Sequence, residues 1–220
     1  LNLMSIKHDS KIILPPRTTR VKISVGESDS APNPALWLNN TADPYALTVF
    51  GFEPNPDSCS KIRSTQECFV GGCMKVPLEM IDVQYFLTCV AVGSSQQDPM
   101  SLRTQTFYST DGDPGTSSMN KPTRHVVKRE VQVPEITLER FFALLQWYAG
   151  PLAYEMLGVS QGNIRYIDML KIDAQGHDLK SLKGAGRWLS ERVVWVQPEM
   201  VVGGYESQHS PEELSSYMSS

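Results

Sequence analysis

Three short stretches carry residue types that could do chemistry: Gly26-Glu27-Ser28-Asp29, Phe52-Glu53-Pro54-Asn55-Pro56 and Lys171-Ile172-Asp173-Ala174-Gln175-Gly176-His177-Asp178. In the first, a glycine lets the backbone turn tightly and come close to a ligand. No full G-x-G-x-x-G accompanies it, so on its own Gly26 reads equally as a plain turn residue. In the second, two prolines restrict the turn around Glu53, which argues for a held carboxylate. An acid at such a point can accept both hydroxyl protons of a ribose, and the plainer reading is a solvated turn acid. In the third, Lys171 interrupts an apolar run, Asp173 ends it and His177 opens a helix. A helix N-terminus disfavours the imidazolium, and a neutral imidazole near a carboxylate can act as a general base. The plainer alternative makes Asp173 and Asp178 a cap and a first-turn acid.

The elements around these stretches decide whether they can meet. Val21–Val25 alternates and stops at Gly26, Leu47–Phe52 is an almost continuous apolar run, and Tyr85–Val92 is a third. Tyr166–Asp173 and Val193–Val196 complete the set, with Val126–Val133 as a further strand on an edge. Helices are expected over Ala31–Asn40, Asp57–Cys68 (capped by Asn55 or Asp57), Thr137–Tyr148, Gly176–Leu189 and Pro211–Met218. Leu138, Phe141, Phe142, Leu145 and Tyr148 recur at helical spacing and form a core stripe. Residues 94–124 are rich in Ser, Gln, Asp, Gly and Pro and read as a long surface excursion. Strand and helix alternate, which predicts a doubly wound α/β domain with a mostly parallel sheet over residues 21–220 and a lead-in arm at 1–20. Ligands of such sheets bind outside the carboxyl ends of the strands, where all three stretches fall.

The chain has 220 residues, is 40 % hydrophobic and 20 % charged, and carries a net charge of −4. It is long enough to bury a core without staples. No dense basic run is present, which argues against nucleic acid as a partner. No spanning helix is visible, so no membrane segment is expected. Cys59, Cys68, Cys73 and Cys89 form no C-x-x-C pair, so no metal centre is expected. An even cysteine count and the Asn39-Asn40-Thr41 sequon would fit secretion, but reduced thiols and a cytoplasmic setting are favoured for a domain of this size.

Phe52-Glu53-Pro54-Asn55-Pro56, followed by Leu170-Lys171-Ile172-Asp173-Ala174-Gln175-Gly176-His177-Asp178 and Leu182-Lys183-Gly184-Ala185, resembles the FkbM-type methyltransferases, whose signature reads "FEPNP" and then "LKIDVEGHE…LKGA". Thr137–Phe142 also resembles the helix that precedes the second motif there, and the likeness covers roughly residues 20–215. It implies a Rossmann-like class I methyltransferase fold, S-adenosylmethionine as cofactor, and transfer to a hydroxyl of a sugar, glycan or small metabolite. Carried over by position, Gly26 lies under the methionine part, Glu53 binds the ribose and Ala91 and Val92 lie near the adenine. Glu27, Asp29 and Asn55 join that cofactor set from the same two loops. Asp173 faces the transfer, with His177 as a second candidate base and Lys171 as an electrostatic helper.

The chain departs from that pattern in three ways. Ser24-Val25-Gly26-Glu27-Ser28-Asp29 stands where relatives resemble "DVGANDG", Gln175 stands where they have Glu, and the expected final antiparallel hairpin is lacking. These departures leave a second reading, a non-catalytic binding domain on the same fold. A nicotinamide-dependent oxidoreductase is disfavoured by the missing glycine fingerprint.

Overall fold

Leu47-Thr48-Val49-Phe50-Gly51-Phe52 is buried at every position, as a strand covered on both faces must be. A computed structural model describes residues 11–64, 75–94, 103–145, 147, 164–200 and 202–220. Its strands are β1 (Arg20–Val25), β2 (Leu47–Phe52), β3 (Tyr85–Thr88), β4 (Ala91–Val92), β5 (Arg103–Thr110), β6 (Val127–Ile136), β7 (Ile167–Ile172) and β8 (Val193–Pro198). Its α-helices are α1 (Pro32–Asn39), α2 (Pro56–Ser64), α3 (Leu138–Leu144), α4 (Asp178–Lys183), α5 (Trp188–Arg192) and α6 (Pro211–Met218).

The main sheet has five strands in the order β3-β2-β1-β7-β8, every pair parallel. This is the Rossmann-like α/β class expected. The register sets the carboxyl ends level, pairing Val25 with both Phe52 and Ile172, Phe52 with Thr88, and Ile172 with Pro198. The next residues, Gly26, Glu53, Asp173 and Glu199, therefore stand along one edge. Backbone bonds lock that edge: Gly26 N donates to Phe52 O at 2.9 Å, and Asp173 N to Val25 O at 2.8 Å.

Beneath the edge, Phe141 on α3 packs against Phe50 and Phe52 with ring centroids 4.9 and 5.1 Å apart, both edge-on. Thr137 Oγ1 accepts from Arg140 N at 3.1 Å and caps α3, as its sequence predicts. Ser210 and Glu213 form a capping box at the start of α6. Ile12 and Leu14, before β1, are buried in the same core.

Several expectations are corrected. The run Tyr85–Val92 is two strands, because the chain turns tightly at Val90 N, bonded to Thr88 O, and β4 leaves to pair with β6. The excursion expected at 94–124 contains β5, which pairs antiparallel with β6 along its length. With β4 they make a second sheet, ordered β4-β6-β5. The helix expected over Thr137–Tyr148 stops at Leu144, where Leu145 bridges to Ile12. Gly176–Leu189 is two helices, interrupted at Gly184 and at Gly186, which has φ +55°. A Cβ at Gly184 would sit 2.0 Å from Gly93 O, so the break is a close packing of loop on loop. Cys59 and Cys89 form a disulfide rather than reduced thiols, their Cα atoms 6.1 Å apart between α2 and the end of β3. Cys68 and Cys73 lie outside the described residues. Among the described residues no helix is long and apolar enough to cross a membrane.

Candidate functional site

A cavity of about 150 Å³ opens at the carboxyl ends of β1, β2 and β7, lined in part by Gly26, Glu53, Ala91, Val92 and Asp173. Gly26 turns the chain out of β1 with φ +84°, and a Cβ there would lie 1.9 Å from the Asp173 carbonyl oxygen. Only glycine combines that dihedral with that approach. The loop stays unusual beyond it, since Ser28 and Ala31 also hold φ values of 54° and 49°. Left-handed non-glycine residues of this kind concentrate where a loop shapes a site.

Glu53 is almost wholly buried and pinned by backbone amides: Oε2 accepts from Glu27 N at 3.0 Å and Oε1 from Asn55 N at 2.7 Å. Burial pushes its carboxyl up to about 7, against the downward pull of the Asn55, Glu27 and Ser28 amides. With three amides on about four acceptor positions, the carboxylate keeps one for a hydroxyl donor. Glu27 serves the site through its backbone. Its own carboxyl is fully buried below the loop, pushed well above the usual range first by burial and then by the negative charge of Glu53. Neither of its oxygens makes a well-formed hydrogen bond, although the Ser24 and Tyr85 hydroxyls lie near enough to ease the shift. Asp29 turns away to Lys61 Nζ at 3.4 Å, and Asn55 Oδ1 accepts from Asp57 N at 3.1 Å at the start of α2.

At the end of β7, Asp173 receives Gln175 Nε2 on Oδ1 at 2.8 Å and faces Lys171 Nζ at 3.5 Å from Oδ2. Gln175 has φ +50° and Gly176 φ +84°, so the chain folds back and brings the amide over Asp173. The same Nε2 donates to Glu199 Oε2 at 2.9 Å, while Gln175 Oε1 accepts from Tyr205 at 2.8 Å. Glu199 is raised to about 8, first by partial burial and then by its hydrogen bond to, and the charge of, Asp173. His177 is buried behind this loop with Nδ1 3.2 Å from Asn120 Oδ1, and it does not line the cavity. Its imidazole is held neutral, as expected from sequence, but the main cause is burial, which with Lys180 and His209 lowers it to about 3.

Gly26, Glu53, Ala91, Val92 and Asp173 are thus brought to one cavity, while Glu27, Asp29, Asn55, Lys171 and His177 stand around it. Sequence reading missed Glu199 and Tyr205. Glu199 was legible in principle, because Pro198-Glu199 closes an apolar strand much as Glu53-Pro54 does, but the strand was expected to end at Val196. Tyr205 gave no signal, since its partner lies 30 residues away in sequence.

No curated protein and no solved structure matches the chain. Residues 31–220 match the model of one family, the methyltransferase FkbM domain, and this span contains Glu53, the Asp173 loop and Glu199. The five-stranded parallel sheet and its level row of strand ends are the architecture such a domain needs. The chain belongs to the FkbM methyltransferase family.

Proposed function

We infer that the cavity binds S-adenosylmethionine and that the chain transfers its methyl group to a hydroxyl oxygen of a sugar, glycan or small metabolite. The observation that carries this reading is the row of Gly26, Glu53 and Asp173 along one sheet edge in a chain of this family. The residues present fit the cofactor by kind. Glu53 offers a held carboxylate for ribose hydroxyls, and Phe52, Val90, Ala91 and Val92 offer an apolar wall for a purine. Gly26 leaves the backbone open for the amino-acid end.

The bound cofactor supplies a methyl group already activated by a positive sulfur, so the protein mainly aligns the acceptor and takes up a proton. Asp173 is the base best placed for that proton, because it lines the cavity and His177 does not. Lys171 Nζ stands 3.5 Å from Asp173 Oδ2. Phe107, Ser118 and Met119, from the segment 94–124, also line the cavity and would select the acceptor.

The reading is tested with methyl-labelled S-adenosylmethionine and a panel of hydroxylated sugars, glycans and metabolites. Label should pass to an acceptor, and Asp173→Asn should abolish transfer while S-adenosylhomocysteine still binds. His177→Ala should leave the chemical step largely intact. Full turnover in Asp173→Asn would overturn the assignment of the base. Absence of cofactor binding would favour the non-catalytic reading.

A further inference from the structure

Asp173 and Gln175 line the cleft, and Glu199 stands beside them at the end of β8. Gln175 uses one nitrogen for two carboxyl groups, Asp173 Oδ1 at 2.8 Å and Glu199 Oε2 at 2.9 Å. The amide stands in this sense because a flipped oxygen would face the Asp173 carboxylate, while on its other side Tyr205 lies 2.8 Å from Oε1 and 3.1 Å from Thr116 O. Glu199 is anchored by its own backbone, whose N donates to Ile172 O at 2.8 Å. The left-handed backbone at Gln175 holds the amide in place from the other side. Two acid side chains are therefore fixed on one donor at adjacent strand ends.

We propose, resting on the methyl-transfer reading of this cleft, that Asp173 and Glu199 act as a pair with a single proton, held by Glu199, and that Gln175 is the clamp that aims the Asp173 carboxyl group toward the acceptor. Glu199 is then a positioning residue. Like charges this close do not both ionise at neutral pH. The groups facing Glu199 are Asp173 and Lys171 at the end of β7, Asp178 on α4 and Tyr205 beyond β8. Only Lys171 among these is cationic, and it lies 3.5 Å from Asp173. The balance of charge at Glu199 thus favours a proton on its carboxyl, in accord with its rise to about 8.

During transfer the acceptor O–H bond breaks and its proton passes to the Asp173 carboxylate. The oxygen's electron pair forms the new bond to the methyl carbon, while the carbon–sulfur pair stays on sulfur. The pair of acids then carries two protons, and one leaves to solvent through the half-buried Glu199. Position 175 also has a chemical reason to be an amide. A carboxylate at this position would replace the shared donor with a third acceptor.

The test is a carbon-13 NMR titration of the ligand-free chain labelled at Asp and Glu carboxyls. Glu199 should titrate near pH 8. In Asp173→Asn it should fall by about one pH unit or more, because the neighbouring charge is gone. An ordinary carboxylate titration of Glu199 in the wild type, or a high value unmoved by Asp173→Asn, would overturn the proposal. This readout does not depend on activity, so it fails separately from the methyltransferase reading. With an acceptor in hand, Glu199→Gln should bind S-adenosylhomocysteine normally but lose the inflection near pH 8 in its rate profile, and an unchanged profile would count against the shared proton. Gln175→Glu should lose thermal stability as pH rises above neutrality, and a pH-independent change would contradict the clamp.

Discussion

Glu53→Gln exchanges one carboxylate oxygen for an NH2 group in a nearly closed environment. Both oxygens now accept backbone amides, from Glu27 N at 3.0 Å and from Asn55 N at 2.7 Å. A glutamine can satisfy only one of these and sets its NH2 against the other. The same NH2 cannot accept from a ribose hydroxyl, and because hydrogen bonds to a charged group contribute about 1.5–3 kcal/mol each, loss of one ribose contact is worth about 2 kcal/mol. At about 1.4 kcal/mol per tenfold, the dissociation constant for S-adenosylhomocysteine should rise roughly 30-fold. The effect should also depend on pH. The Glu53 carboxyl titrates at about 7, so at pH 6 the wild type is mostly protonated and resembles its amide variant. At pH 8 it is ionised, and the affinity ratio should be larger. Calorimetric titration at both values measures this, with circular dichroism as a control for folding. Equal affinities at pH 8 would refute the role given to Glu53.

Four further outcomes are expected. Gly26→Ala combines a left-handed dihedral, costing about 1–2 kcal/mol, with a Cβ placed 1.9 Å from the Asp173 carbonyl, so its urea midpoint should fall clearly and cofactor affinity with it. Phe141→Ala removes a fully buried ring between Phe50 and Phe52 and should cost about 3–5 kcal/mol in urea unfolding. Reduction of Cys59–Cys89, which are 30 residues apart, releases a loop worth about 3–4 kcal/mol to the unfolded chain, and a reductant should lower the thermal midpoint accordingly. Glu199 at about 8 and Glu53 at about 7 bind protons more tightly folded than unfolded, whereas His177 at about 3 does the opposite below its ordinary 6.5. Folding stability without ligand should therefore decline as pH rises from 6.5 to 8, and less steeply in Glu199→Gln; urea unfolding across that range measures it.

The parts of the fold legible in sequence are those where one physical demand dominates. Leu47–Phe52 is buried on both faces and could be little else than a central strand. Gly26 and the proline-flanked Glu53 mark strand ends because turning there restricts the residue types. The second sheet was hidden because Arg103-Thr104-Gln105-Thr106-Phe107-Tyr108-Ser109-Thr110 is a largely polar strand, exposed over its first half and stabilised by pairing with β6. The break in the helix after Gly176 was hidden for a similar reason, since Gly184 is fixed by the approach of Gly93 from a distant loop. Pairing of Cys59 with Cys89 depends on α2 lying over the end of β3, which spacing cannot supply. In the site, the residue types were readable but their directions were not. Glu27 looks like a loop acid and is fully buried, and His177 looks like a base and lies behind the cavity.

The central claim is that the edge formed by Gly26, Glu53 and Asp173, with Ala91 and Val92, is the cofactor cleft. Titration of the nitrogen-15-labelled chain with S-adenosylhomocysteine, followed through backbone amide shifts, tests it most directly. Saturable one-to-one shifts concentrated at Gly26, Glu53, Ala91, Val92 and Asp173 are expected. Absence of shifts, or shifts confined to residues away from the carboxyl ends of β1, β2 and β7, would contradict it.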